Sequence, residues 1–226
     1  MDTQRQVIEG LLQFVTLAEG ERKLLAADLH DQTLSDLREL GQLARRLLDE
    51  PATAMSREVR DGLTQLVQGI DVAMDEVRRA MESLSPSALD TLGLLPALEN
   101  CLARAAASCE QPFATRFACL ADESQVRLSE IEQVLLYRIV QEALTNISKH
   151  AGASLVELLI TQAGDDLLVR VTDDGRGIMS SGDLRRARGL ENMRYRARLI
   201  GATLTWLRAT GERGTVVELL VPMRTE

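Results

Sequence analysis

An imidazole beside a carboxylate, His30–Asp31, lies in the stretch ERKLLAADLHDQTLS, residues 21–35. No Gly or Pro falls between Glu21 and Leu40. Leu24, Leu25, Ala26, Ala27, Leu29 and Leu34 are good helix formers, so the stretch is predicted to be helical. Leu25, Leu29 and Leu37 mark an apolar face that His30 and Asp31 sit beside, which turns both polar groups toward solvent. On a rigid helix an imidazole can act as a nucleophile whose proton a neighbouring carboxylate takes, or whose tautomer it fixes. The bland alternative is an incidental surface pair. A nucleotide site elsewhere in the chain is what favours the chemical reading.

Three later stretches supply such a site. Glu142 and Asn146 are four apart in a helical pattern, so a carboxylate and an amide point the same way. They suit an Mg²⁺ ion that phosphates also hold, or else form a plain surface pair. Lys149 and His150 follow one turn on and can meet the phosphates. Asp173-Asp174-Gly175-Arg176-Gly177 comes directly after a strand pattern. Glycines two apart permit close backbone approach to a ligand, and a strand-end Asp can accept a hydrogen bond from the exocyclic amine of a base. A tight loop whose carboxylates cap local N–H groups is the alternative. No GKS or GKT follows, so this is not a P-loop. Arg188-Gly189-Leu190 opens the next helix, whose free N–H groups can receive a phosphate.

The elements that must carry these residues follow from periodicity. Val7, Ile8, Leu11, Leu12, Val15 and Ala18 predict an opening helix over 3–19, with Gly20 the only interruption before His30. The first long helix runs on through Leu37, Leu40, Leu43, Ala44, Leu47 and Leu48 until Pro51. A second follows at 57–84, carrying Val59, Leu63, Leu66, Ile70, Val77 and Met81. Two such helices form an antiparallel hairpin with apolar surface left over, and pairing two hairpins into a four-helix bundle covers it. SPSALDT, 85–91, reads as a boundary, with Pro86 stopping the long helix. Beyond it helices are predicted at 93–109, 129–150 and 189–200, the second opened by a Ser129/Glu132 capping box. Strands are predicted at 113–120, 154–161, 166–172, 202–208 and 215–221. The pattern gives an α+β chain: a dimeric helical hairpin, then an α/β sandwich with helices on one face of a mixed sheet.

Bulk properties narrow the class. The chain has 226 residues, 45% of them hydrophobic, with only three Phe, two Tyr and one Trp, so its core is aliphatic. A formal net charge of −8 argues against direct nucleic-acid binding. Cys101, Cys109 and Cys119 are odd in number and read as reduced, buried thiols of a cytoplasmic protein. No run reaches the ~18–20 apolar residues that span a bilayer, and no signal peptide is evident.

With these motifs in order, the chain resembles the sensor histidine kinases of the NarL/DesK-like subfamily. ERKLLAADLHD is similar to their phosphoacceptor box, and SPSALDTLGLLPAL to the junction. YRIVQEALTNISKHAGAS looks like the N box, VTDDGRGI the first glycine box, and RGLENMRYRARLIGATLTW the second with its following strand. The resemblance implies a lead-in signalling helix over 1–19, a dimerisation and histidine phosphotransfer domain over 20–86, and a GHKL-type ATP-binding domain over 87–226. It implies a homodimer that phosphorylates His30 from ATP with Mg²⁺, then passes the phosphoryl group to an aspartate of a response-regulator receiver domain with a helix-turn-helix output. A membrane or sensor partner would act through the N-terminal helix.

Carried over by position, the resemblance makes His30 the phosphoacceptor and Asp31 its acid/base neighbour. Glu142 and Asn146 become the Mg²⁺-side residues, with Lys149 and His150 near the phosphates. Asp173 becomes the adenine-amine acceptor, and Gly175, Gly177 and Gly189 the backbone cradle, under a lid at 178–188. Two positions depart from the family pattern. Ser35 stands where a Gln often lies five residues after the His, and Ala187 stands where a Gly usually precedes Gly189 by two. On an α-helix Ser35 lies roughly 140° around from His30 and ~7.5 Å along. Its short hydroxyl points to an enzyme that phosphorylates its regulator well and dephosphorylates it poorly. A catalytically weak GHKL dimer acting as a scaffold, or one that phosphorylates serine, is the competing class.

Overall fold

The computed structural model describes residues 2–51, 55–85, 87–109, 111–177, 188–209 and 213–223. The chain divides into two compact units, Glu9–Ser87 on the one hand and Met1–Ile8 with Ala88–Glu226 on the other. No helix among the described residues is long and apolar enough to cross a membrane.

The first unit is a helical hairpin. Helix α1 (Asp2–Asp28) passes straight through Gly20, where an added Cβ would meet open space. It runs into a π-helical turn, Leu29–Leu34, and on into α2 (Ser35–Leu48). After the turn, α3 (Arg57–Leu84) returns, its start capped by the Ser56 hydroxyl accepting Val59 N–H at 3.4 Å. Arg60 donates to the carbonyls of Leu48 (2.9 Å) and Glu50 (3.0 Å), satisfying acceptors that the end of α2 leaves open. Arg45 Nη2 donates to both carboxylate oxygens of Asp71, at 2.6 and 2.8 Å. Leu34, Ile70 and Met74 form the buried core between the helices, flanked by Leu37, Val77 and Met81. Gly41 makes the close approach possible, since a Cβ there would sit 3.3 Å from Ile70 Cγ2.

The π turn corrects the uniform α-helix predicted for 21–35. From the end of the turn into α2, Leu34, Gly41 and Ala44 are buried and Leu37 and Leu48 half-buried, in steps of three and four, with Thr33 and Ser35 half-buried beside Leu34. Before the turn the sheltered positions are Arg22, Ala26 and Leu29, in the same steps. From the fully buried Ala26 to Leu34 is eight residues, one more than the seven from Leu34 to Gly41, and a turn with i→i+5 hydrogen bonds absorbs the extra one. A continuous α-helix would extend the line from Leu34 back to His30 and press the imidazole into the hairpin. The same turn changes the position of Ser35. The wider i→i+5 turn brings Ser35 to a smaller angle from His30 than the roughly 140° of an α-helix.

The hairpin leaves apolar side chains in solvent. Leu40, Leu43 and Leu47 on α2, and Val59 and Leu66 on α3, are each exposed by 44% or more.

The second unit opens with a short helix, α4 (Ser87–Leu92), where the sequence suggested only a boundary segment. Pro86 itself lies outside the described residues. Helix α5 (Leu94–Ala107) follows Gly93, which enters it at φ 83°. Then come β1 (Ala114–Cys119), α6 (Glu130–Asn146), β2 (Leu155–Ala163), β3 (Asp166–Asp173), α7 (Arg188–Leu199), β4 (Thr203–Arg208) and β5 (Thr215–Pro222). The sheet order is β1-β2-β3-β5-β4, parallel between β1 and β2 and antiparallel elsewhere, so it is mixed as expected. Alternation does the folding work. Leu167, Val169 and Val171 of β3 and Val217, Leu219 and Val221 of β5 are buried, with their neighbours only partly covered. Helix α6 packs on β3, and α5 on α6 and β1, burying Leu135, Leu136, Ile139, Val140, Ala143 and Leu144 of α6 and Leu98 and Leu102 of α5. The Ser129/Glu132 box is present, the Glu132 carboxylate accepting Ser129 N–H at 2.6 Å.

The helix predicted to 150 ends as α-helix at Asn146 and continues as a second π turn, Ile147–Ala151. Gly152, at φ 58°, stops it in the left-handed conformation. None of the three cysteines forms a disulfide, and only Cys101 is fully buried. Cys109 and Cys119 are half-buried, each donating its S–H to a backbone carbonyl, of Ser148 and Ala121 respectively.

Candidate functional site

The expected site residues fall into two groups, one on each unit. His30 and Asp31 lie in the helical unit, with side chains 61% and 80% exposed. His30 Nδ1 and Asp31 Oδ1 are 3.0 Å apart. With Nδ1–H donating to the carboxylate, the lone pair of Nε2 faces outward and is free to attack an electrophile. The π turn holds this geometry by keeping the imidazole off the sheltered line.

The second group gathers where β3 ends. Asp173 is 3% exposed, and its Oδ1 accepts Gly175 N–H at 2.8 Å. Burial pushes its carboxyl above the usual range, against the hydrogen bonds from Gly175 and Thr215 that pull it down. Asp174, its neighbour, does the opposite work. Exposed at the surface, it accepts from Ser154 N–H (2.7 Å), Leu155 N–H (3.0 Å) and the Ser154 hydroxyl, which hold its carboxyl low. Asp174 therefore pins the start of β2, as the capping alternative had it, while Asp173 turns inward.

The glycines around Asp173 are fixed by contact. A Cβ on Gly175 would lie 2.5 Å from Ala151 O, so the loop after β3 presses on the second π turn. Arg176 completes the joint, its N–H donating to Ala151 O at 3.0 Å and its Nε–H to His150 O. Gly177, at φ 78°, passes Gly214, whose own φ is 89° and whose Cβ would strike Asp173 O. Gly214 and Thr215 were not picked out from sequence. Thr215 faces Asp173 across the β3–β5 pairing and bonds its carboxylate. The only local signal was a Gly-Thr pair at the mouth of the last strand.

On α6, Glu142 and Asn146 lie one turn apart and half-buried, and Lys149 and His150 are exposed on the π turn beyond. Glu142 reaches the first turn of α7, where a Cβ on Gly189 would run into its Oε1. Ala187 and the segment 178–187 lie outside the described residues. Glu142 and Asn146 present oxygen donors from adjacent turns, and among the described residues no group of three or more His, Cys, Asp and Glu side chains gathers. That set fits a magnesium ion completed by phosphate oxygens and water, not a cage made by protein alone.

The chain is similar to known proteins over most of its length. Residues 131–225 match the family model described as histidine kinase-, DNA gyrase B- and HSP90-like ATPase. The signal transduction histidine-protein kinase/phosphatase DegS of Brevibacillus brevis is 29% identical over 223 residues, 95% of this chain and 54% of its own. UhpB of Salmonella typhimurium, described in the same words, is 33% identical over 210 residues, 91% of this chain and 39% of its own. The histidine kinase domain of the Erythrobacter litoralis EL346 blue-light activated histidine kinase shares the fold at a TM-score of 0.53 and 20% identity, over 84% of this chain and 94% of that domain. The chain thus spans about half, or less, of the length of the curated relatives it matches.

Proposed function

We propose that this chain, similar over most of its length to signal transduction histidine kinases, is a sensor histidine kinase of the NarL/DesK-like subfamily that phosphorylates its own His30 from ATP and passes the phosphoryl group to the aspartate of a response regulator. The observation that carries the proposal is the exposed imidazole of His30, with its Nδ1 set 3.0 Å from Asp31 and its Nε2 open. A binding scaffold has no use for that pair, and neither has a serine kinase.

In this reading 20–86 is the dimerisation and phosphotransfer domain, 87–226 the ATP-binding domain and 1–19 the lead-in through which a sensor or membrane partner acts. Asp173 accepts the exocyclic amine of adenine, with Thr215 holding the carboxylate and Gly175, Gly177 and Gly189 letting the backbone approach the nucleotide. Lys149 and His150 face the phosphates. Glu142 and Asn146 would hold Mg²⁺, which when bound offsets phosphate charge. His30 Nε2 attacks the γ-phosphorus in line as the bond to the β,γ-bridging oxygen breaks, and ADP leaves. Asp31 keeps Nδ1–H in place and steadies the charge that develops on the ring.

Two copies pair through the exposed leucines of α2 and the Val59–Leu66 stripe of α3 into a four-helix bundle. The regulator, with a helix-turn-helix output, docks on the hairpin near His30, so the kinase acts on transcription in the cytoplasm without binding DNA. Labelling with γ-³²P-ATP tests the reading. It calls for acid-labile, base-stable label that disappears in His30→Ala while ADP affinity stays near wild type. Tight nucleotide binding with no label would favour the scaffold instead, and full label on His30→Ala would overturn the mechanism.

A further inference from the structure

The loop after β3 and the second π turn meet at Arg176. The last carbonyls of a helix have no partner inside it, and that end of the helix dipole favours positive charge. Arg176 answers both needs. Its backbone N–H donates to Ala151 O at 3.0 Å, and its guanidinium Nε–H donates to His150 O. Gly175 lets the two segments touch, because a Cβ there would lie 2.5 Å from Ala151 O. Earlier in the turn, Ser148 O accepts the Cys109 S–H at 3.3 Å. The turn is thus held at Ser148 and again at His150 and Ala151. Lys149 stands between those holds, exposed like His150, on a stretch without regular α-helical bonding.

We propose that Arg176 is a positioning residue: from the loop after β3 it fixes the end of the second π turn, and so sets where Lys149 and His150 stand relative to Asp173. This rests on the reading of the second unit as a nucleotide site, with the base at Asp173 and the phosphates at Lys149 and His150. One loop then serves both ends of the nucleotide. Gly175 N–H holds the Asp173 carboxylate at 2.8 Å, and the next residue holds the turn that carries the two cationic side chains. A hydrogen bond from a charged donor contributes more than a neutral one. Removing it leaves the exposed His150 carbonyl to water while the backbone bond to Ala151 stays. The turn keeps its fold but loses its fixed heading, and the match between Lys149, His150 and a bound polyphosphate degrades with it.

The test compares adenosine with ADP, each in Mg²⁺, by calorimetry on the full chain. The difference between the two affinities isolates what the phosphates contribute. Arg176→Met keeps an unbranched stem and the backbone N–H and removes the guanidinium. ADP affinity is expected to fall roughly five- to tenfold, adenosine affinity to change by less than about twofold, and the melting temperature to stay near wild type. A second background shows whether Arg176 acts through the turn. In Lys149→Met/His150→Ala the phosphate-facing side chains are gone, and adding Arg176→Met is expected to change ADP affinity by less than about twofold. An equal fall in adenosine and ADP affinity would overturn the proposal, because it would mean a general loosening of the loop after β3. So would the same ADP loss in the Lys149→Met/His150→Ala background, which would mean that the guanidinium meets phosphate itself. ADP affinity unchanged in Arg176→Met would equally sink it. Wild-type protein that binds ADP no more tightly than adenosine strikes the placing of phosphates at Lys149 and His150. Wild-type protein that binds neither strikes the nucleotide-site reading, and either result takes this proposal with it.

Discussion

Asp173 and Asp174 are adjacent carboxylates that the fold drives in opposite directions, and the difference can be measured. Because the folded protein raises the Asp173 carboxyl above its ordinary value of 3.8, the native state takes up that proton more readily than the unfolded chain. The charged form therefore costs stability, a cost fully present above the folded value and relieved as pH falls through it. In the proposed adenine site nucleotide binding has the reverse dependence, since the amine of adenine needs the ionised carboxylate. ADP affinity is expected to start falling on acidification at a pH above 3.8, as calorimetry across a pH series would show, and to vanish in Asp173→Ala. An affinity flat down to 3.8 would remove Asp173 from base recognition. Ser35 gives a second prediction at this scale. The π turn narrows its angle from His30, but its hydroxyl has a short reach. Ser35→Gln is expected to shorten the half-life of purified phosphorylated regulator with excess kinase and ADP, with autophosphorylation little changed. Wild-type kinase that already shortens that half-life, unaltered by Ser35→Ala, would point to Gln32 or Asp31 instead. Asp173 was legible in sequence because a D-x-G-x-G run after a strand is local. Thr215 was not, because its partnership with Asp173 is made by strand pairing across 42 residues.

At the scale of elements, hairpin stability turns on one glycine. Gly41→Val would drive a branched side chain into Ile70 and is expected to cost about 1–3 kcal/mol, read as a lower urea midpoint. Unchanged stability would mean that the helices can move apart at no cost. The helices and strands were largely readable, because three- and four-residue steps and strict alternation leave strong patterns. Both π turns were missed. They use the same good helix formers as an α-helix, and propensity does not distinguish i→i+4 from i→i+5 bonding. What betrays the first is phase: the buried Ala26 and Leu34 are eight apart where Leu34 and Gly41 are seven. The second has no such mark, and its reason lies in tertiary contact, where Ala151 O and His150 O turn out of the helix to meet Arg176.

For the whole molecule, the proposed bundle covers the exposed leucines of α2 with a partner copy. Leu43→Glu combined with Leu66→Glu is expected to yield a monomer by light scattering while circular dichroism still reports a folded hairpin. A wild-type monomer at micromolar concentration would sink the bundle. The π turn also has a mechanical meaning at this scale. A helix is stiff in torsion where its hydrogen bonds are regular and yields first where they are not, and Leu29–Leu34 is the irregular stretch between α1 and α2. Amides of Thr33, Leu34 and Ser35 should accordingly exchange with deuterium faster than those of Leu37–Leu43, and equal protection would deny the soft spot. Torque entering α1 is taken up around His30 before it can reach Leu34 and the packed layer of Ile70 and Met74. The first thing a twist from upstream alters is then the heading of the imidazole, with the hairpin behind it left standing.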